Sequence, residues 1–151
     1  MSKILEKKYQ TLDEFKERLL QSSVGNKIAR IILFGSVLKE KPTKDSDIDL
    51  LVIATGDIKK VEDFCSKLSF DVLLKTGEGI EPLVYCIDQL QYPTSYFLYR
   101  VKNKGKEIYK MDEQRVKMEE ARGYLSLAIH YLKAMINLAK KLIQELERKL
   151  S

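Results

Sequence analysis

Hydrophobic positions along this 151-residue chain switch between two rhythms, one of alternating or continuous short runs and one of steps of three and four. Leu12, Phe15, Leu19 and Leu20 recur at helical spacing behind Thr11-Leu-Asp-Glu14, which has the form of a capping box. They predict a first helix from about residue 11 to 23. KIARIILF, residues 27–34, is an apolar and β-branched run that stops at Gly35-Ser36 and predicts a buried strand. A polar stretch punctuated by Pro42 leads to DIDLLVI, residues 47–53, a second strand. Val61, Phe64, Cys65, Leu68, Val72 and Leu73 fit a helix over residues 58–75, ended by Gly77-Glu78-Gly79. IEPLVYCI, residues 80–87, reads as a third strand with Pro82 tolerated near its start. A helix opening at Pro93 and running to about Lys102 follows, and then a short strand over residues 107–110.

From about Asp112 to Lys149 there is no proline, and Leu125, Ala128, Leu132, Met135, Ala139, Leu142 and Leu146 alternate steps of three and four. One helix of roughly 55 Å is predicted at the usual rise per residue. It is too long for a core this small, so its apolar seam implies an oligomer joined through residues 113–149. The element order belongs to the α/β (α+β) class: a small mixed sheet flanked by helices, carried by residues 1–110, with residues 111–151 as a long C-terminal helix.

Composition narrows this picture. No run of eighteen apolar residues and no signal peptide is present, so a cytoplasmic address without membrane insertion is expected. Cys65 and Cys86 sit among apolar neighbours in no metal-binding spacing and are expected reduced and buried. The net charge of +5 is modest and scattered; it would suit a polyphosphate ligand or a nucleic acid, but such a surplus is most simply solvated surface. Lys140-Lys141 and Arg148-Lys149 are read as a solvated helix end. Tyr92, Tyr96 and Tyr99 could stack on a base, but Tyr96 and Tyr99, at i and i+3, more simply mark a packed helix face. His130 is the only histidine, which removes serine–histidine triads and histidine-rich metal sites.

The remaining chemistry is acidic. Side chains alternate along a strand, so Asp47 and Asp49 project to one face, and two neighbouring carboxylates repel unless a cation lies between them. A calcium loop starting at Asp45 is excluded, because its sixth and twelfth positions are Leu50 and Gly56 instead of glycine and glutamate. Hard cations such as Mg²⁺ take oxygen ligands and are commonly completed by a substrate's phosphates. Gly35-Ser36 directly after a strand offers close backbone approach and amide donors for such phosphates, and Lys39, Lys41 and Lys44 in the following loop offer positive charge.

Phe34-Gly35-Ser36, ten residues, then Asp47-Ile48-Asp49 resembles the signature of the DNA polymerase beta nucleotidyltransferase superfamily, in its minimal nucleotidyltransferase branch. The resemblance covers roughly residues 10–110, including the apolar strands around the motif and the terminal GKEIY. It implies transfer of a nucleoside monophosphate, AMP from ATP in the first instance, to a hydroxyl acceptor, with two Mg²⁺ ions on three carboxylates. Asp47 and Asp49 are two of these ligands by position; the third, on the strand after the intervening helix, falls on Glu81, with Asp71 as competitor on the helix. Gly35, Ser36, Lys39 and Ser46 are the implied nucleotide-binding residues. The branch also implies an acceptor tyrosine on a HEPN-type toxin partner, with this chain as antitoxin. Glu81 beside Pro82, and Glu40 where the pattern often has glycine, depart from that pattern. They keep open a second reading, a catalytically weak module that sequesters a partner through its long helix. Arg122 and His130 are spaced too far apart to resemble the HEPN ribonuclease motif itself.

Overall fold

The computed structural model describes residues 1–151. The elements are α1 (Lys3–Gln21), β1 (Ile28–Phe34), α2 (Gly35–Leu38), β2 (Ile48–Ala54), α3 (Ile58–Thr76), β3 (Ile80–Cys86), α4 (Ile87–Gln91), α5 (Tyr96–Lys104), β4 (Lys106–Lys110) and α6 (Glu113–Leu150). A single-turn 3-10 helix, Gly25–Lys27, feeds β1. The four strands form one mixed sheet in the order β3-β2-β1-β4. β1 runs antiparallel to both neighbours, and β2 runs parallel to β3, as the helical crossover α3 requires.

Alternation along the two central strands divides the core. Ile31, Leu33, Leu50 and Val52 face α1 and α3, where they meet Phe15, Leu19, Val61, Cys65 and Val72. Ala29, Ile32, Leu51 and Ile53 face the other way, toward Leu90 of α4 and Leu98 and Val101 of α5. Each fully buried branched side chain contributes roughly 1.5–3 kcal/mol relative to an exposed one. With both sheet faces covered, β2 is apolar at nearly every position, and Asp49 stands out in it.

The first helix starts eight residues earlier than the apolar pattern predicts. Ser2 is the cap, its hydroxyl accepting from the Leu5 amide at 3.2 Å, and Thr11 lies inside the helix, donating to the Lys7 carbonyl at 2.9 Å. The buried stripe is Leu5, Lys8, Leu12, Phe15 and Leu19, so a lysine occupies a core position and interrupts the apolar rhythm. Lys8 is 1% exposed and pairs with Glu78, which is itself buried. Removing one partner of such a pair costs about 3–5 kcal/mol, because the other charge is left unmatched.

The segment after β3 also differs. Residues 87–104 form two helices, and Pro93 lies between them instead of opening α5, whose cap is Ser95 accepting from the Leu98 amide at 3.2 Å. Leu98 and Val101 are the packed face of α5, while Tyr96 and Tyr99 are exposed and stack on each other with centroids 6.5 Å apart. Of the cysteines, Cys65 is buried and Cys86 half-buried, and both are free.

The chain divides into two compact units, residues 1–116 and 117–151. The first turn of α6 belongs to the first unit, since Val116 is buried and Arg115 Nη2 donates to the Asn26 carbonyl at 3.1 Å. Within residues 117–151 no side chain is buried, and Leu125, Leu132, Met135, Leu142 and Leu146 are all more than half exposed. His130 lies against Tyr131, and Arg122 pairs with Glu119 at 3.3 Å. No helix is long and apolar enough to cross a membrane.

Candidate active site

The sheet register brings the motif residues into one row. Phe34, the last residue of β1, pairs with Asp49 of β2, and Asp49 pairs with Glu81 of β3. Asp49 shares its face with Leu51 and Ile53, and Glu81 shares its face with Leu83 and Tyr85, so both acids point to the α4/α5 side, beyond the end of that core. Asp71, the competitor, lies on α3 and pairs with Arg18 at 3.6 Å, away from this row.

Asp47 precedes the ladder, which begins at Ile48, and its position is set by a glycine. A Cβ built on Gly79 would lie 2.1 Å from Asp47 Oδ1, and one built on Gly35 would lie 2.0 Å from Asp49 Oδ2. Each aspartate therefore rests in a notch that only glycine leaves open. Gly35 is also left-handed, at φ +78°, because the chain turns sharply from β1 into α2. Gly79 escapes a reading of the sequence because Gly77, at φ +76°, already supplies the αL cap of α3. A second glycine two residues later has no capping duty, and that surplus was its signal.

The three acids share a field. The Asp49 carboxyl is pushed above the ordinary aspartate range, first by burial, then by the negative charge of Glu81, then by that of Asp47. As the side chains stand, no three acidic, histidine or cysteine groups are drawn into a metal cage. The donor set is nevertheless all hard carboxylate oxygen, which suits Mg²⁺ and no soft metal.

Beside Gly35 a cavity of about 620 Å³ opens between α2 and α5, lined by Phe34, Lys39, Tyr96, Phe97, Arg100 and Lys104 among others. Phe34 and Phe97 meet edge to face at 5.4 Å, and the Arg100 guanidinium lies 5.9 Å from the Tyr96 ring centroid. Aromatic surface and three cations thus adjoin the acidic row. Phe97, Arg100 and Lys104 carry no sequence signal, because only the packing of α5 brings them to Gly35. A second cleft, lined by Glu62, Asp63, Pro82 and Tyr85, lies between α3 and β3 and contains none of the motif residues.

Ser36 is half-buried in α2, and Lys39 is exposed at its C-terminus. Ser46 sits in the loop before Asp47, its hydroxyl accepting from the Thr43 amide at 2.8 Å. Glu40 takes φ 56°, the one non-glycine residue in the left-handed region. It ends α2 as a Schellman turn, with the Glu40 amide donating to the Val37 carbonyl at 3.1 Å and the Lys41 amide to the Ser36 carbonyl at 3.0 Å. Such a position favours glycine, which accounts for glycine being common there in the resembling pattern.

Comparison with known proteins identifies the family at the level of sequence. The family described as Polymerase beta, Nucleotidyltransferase matches residues 17–114. A relative from Methanocaldococcus jannaschii, named "Putative protein adenylyltransferase MJ0604", is 34% identical over 91 residues, spanning 60% of this chain and 87% of its own length. Among solved structures, a toxin-antitoxin with AMP-PNP aligns with 87% of this chain and 98% of its own at 20% identity, with a TM-score of 0.45. A tri-AMPylated Shewanella oneidensis HEPN toxin in complex with MNT antitoxin aligns with 87% of this chain and 98% of its own at 17% identity, with a TM-score of 0.37. At that distance the structural likenesses carry no functional weight, and the sequence matches decide. The chain belongs to the polymerase beta nucleotidyltransferase family and is a nucleotidyltransferase.

Proposed function

We propose that this enzyme transfers AMP from ATP to a hydroxyl of a protein, breaking the bond between the α- and β-phosphates and releasing pyrophosphate, in a reaction that depends on Mg²⁺. The observation that carries the reading is the row Phe34, Asp49, Glu81, flanked by Asp47 and opening at Gly35 onto a cavity with aromatic and cationic walls. Asp47, Asp49 and Glu81 would hold the metal, two ions being usual in two-metal transfer. When bound, the metal supplies charge neutralisation at the phosphates and a more acidic acceptor hydroxyl. Gly35 and Ser36 let the triphosphate approach the backbone, and Ser46 holds the loop that carries Asp47. Lys39, Arg100 and Lys104 balance the phosphate charge, while Phe34, Tyr96 and Phe97 provide a flat apolar surface for the base.

For the acceptor we infer a tyrosine on a HEPN-type toxin partner, which makes this chain an antitoxin. The named activity of the Methanocaldococcus jannaschii relative supports protein as the acceptor class. Residues 1–110 act as the catalytic domain and residues 111–151 as an association helix. The exposed seam from Leu125 to Leu146 supports self-association, with a second copy of the chain as the simplest occupant.

Incubation with labelled ATP, Mg²⁺ and a co-expressed partner tests this directly. Label should appear on the partner, vanish on chelation, and vanish in Asp47→Asn/Asp49→Asn. Undiminished transfer by the double variant would overturn the site; tight partner binding with no transfer by the native chain would favour the sequestering module.

A further inference from the structure

Lys8 is a costly way to fill a core position. Its neighbours along the α1 stripe are Leu5, Leu12 and Phe15, and a methionine would complete that stripe without burying a charge. What a methionine lacks is donors. The Lys8 ammonium donates to Glu78 Oε2, to the Ser46 carbonyl and, at 3.5 Å, to the Lys44 carbonyl. Those three acceptors lie on the two loops that deliver the acidic residues. Ser46 immediately precedes Asp47. Glu78 immediately precedes Gly79, whose carbonyl accepts from the Ile48 amide at 2.9 Å and whose open Cα face receives the Asp47 carboxyl. Glu81 follows two residues later on the same strand as Ile80.

Apart from the Ile48–Gly79 bond at the start of the ladder, the remaining ties on these loops are local. Thr43 and Ser46 bond each other, and Glu78 is tied locally through its amide to Thr76 Oγ1 at 3.1 Å. Lys7 meets Glu78 Oε1 at 3.4 Å, but its side chain is more than half exposed. One buried ammonium is therefore the common anchor of residues 44–46 and 78.

We propose that Lys8 and Glu78 form a positioning brace that fixes the distance between the Asp47 and Glu81 segments and so sets the affinity of the acidic row for a divalent cation. The inference rests on reading Asp47, Asp49 and Glu81 as the ligands of that cation. Neither Lys8 nor Glu78 touches the cation or the substrate; they act through the loops, as outer groups do when they orient a ligand set.

The test separates positioning from stability. Lys8→Met alone leaves the buried Glu78 charge with only the half-exposed Lys7 as partner and can simply unfold, so the informative protein is Lys8→Met/Glu78→Leu, in which apolar groups replace both charges. The full-length double variant is compared with the native chain and with Leu68→Ala, a core truncation in α3. Two readouts are used: hydrogen exchange at the Ile48 amide without metal, and Mn²⁺ affinity in the presence of ATP. The double variant should melt cooperatively near the native temperature, exchange Ile48 faster, and bind Mn²⁺ about tenfold more weakly. Leu68→Ala should melt earlier yet keep the native Mn²⁺ affinity. A double variant with native exchange and native affinity would overturn the brace and leave Lys8 as filler. If the native chain itself binds no Mn²⁺ with ATP, the ligand reading fails, and the Ile48 exchange alone still decides whether the brace holds the loops.

Discussion

Asp49 and Glu81 stand opposite each other across the parallel pairing of β2 and β3, and the Glu81 charge adds to burial in raising the cost of ionising Asp49. Without a cation the pair is an electrostatic fault in the sheet. Asp49→Asn should therefore raise the melting temperature of the metal-free protein at neutral pH. The sign follows from linkage: a carboxyl whose folded pKa lies above its unfolded value supports folding below the unfolded value and loses that support as pH rises through the folded one. The advantage of the variant should thus grow from acid to neutral pH and then level off. Melts in chelator across that range check it; an advantage constant with pH would point to packing instead.

Gly79→Ala should reduce transfer with little loss of stability. Gly79 is not in the left-handed region, so alanine suits its backbone, and the added methyl meets only the Asp47 carboxyl. If Asp47 holds metal as proposed, a loss of about tenfold or more in activity is expected from displacing it, with a melting temperature close to native. Gly35→Ala should be worse on both counts, since its φ of +78° penalises any side chain as well.

Glu40→Gly should be tolerated where most glycine substitutions are not. Relief of the left-handed strain, roughly 1–2 kcal/mol, offsets the entropy that glycine adds to the unfolded chain. Denaturant unfolding should give a net change within about 1 kcal/mol. Removal of a negative charge next to Lys39 should also tighten ATP binding, measurable by calorimetry.

The two thiols should react very differently. Burial, aided by the Glu62 charge, pushes the Cys65 thiol up to about 12, so it stays protonated and shielded, while Cys86 is half-buried. Alkylation of the native protein should modify Cys86 alone, and both after unfolding. Rapid labelling of Cys65 in the native state would mean that α3 opens readily.

Light scattering across concentrations should give a mass above the monomer. Leu132→Glu and Met135→Glu, placed in the exposed seam of α6, should return it to the monomer without altering ATP binding by residues 1–116.

Strands β1 to β3, the crossover helix and the long terminal helix were legible because apolar positions dominate them at a regular period. So was the spacing of Gly35-Ser36 and Asp47-Ile48-Asp49, since a turn and a neighbouring strand fix it locally. What failed were positions whose role is set by distant packing. Lys8 reads as a surface lysine until Glu78 is beside it, and its charge hides the first two turns of α1. Tyr96 and Tyr99 have the spacing of a packed face, yet Leu98 and Val101 are the residues that α5 buries. Phe97 and Arg100 gain significance only once α5 lies beside α2.

The parallel pairing of β2 with β3 also has a kinetic consequence. β1 pairs with β2 across the connection 35–47, whereas β3 pairs with β2 across the longer crossover 55–79 that contains α3, which is the costlier loop to close. A chain caught between those steps carries Asp47 and Asp49 without Glu81. The acidic row is complete only once β3 has paired with β2, so a molecule short of that step should lack the proposed metal site.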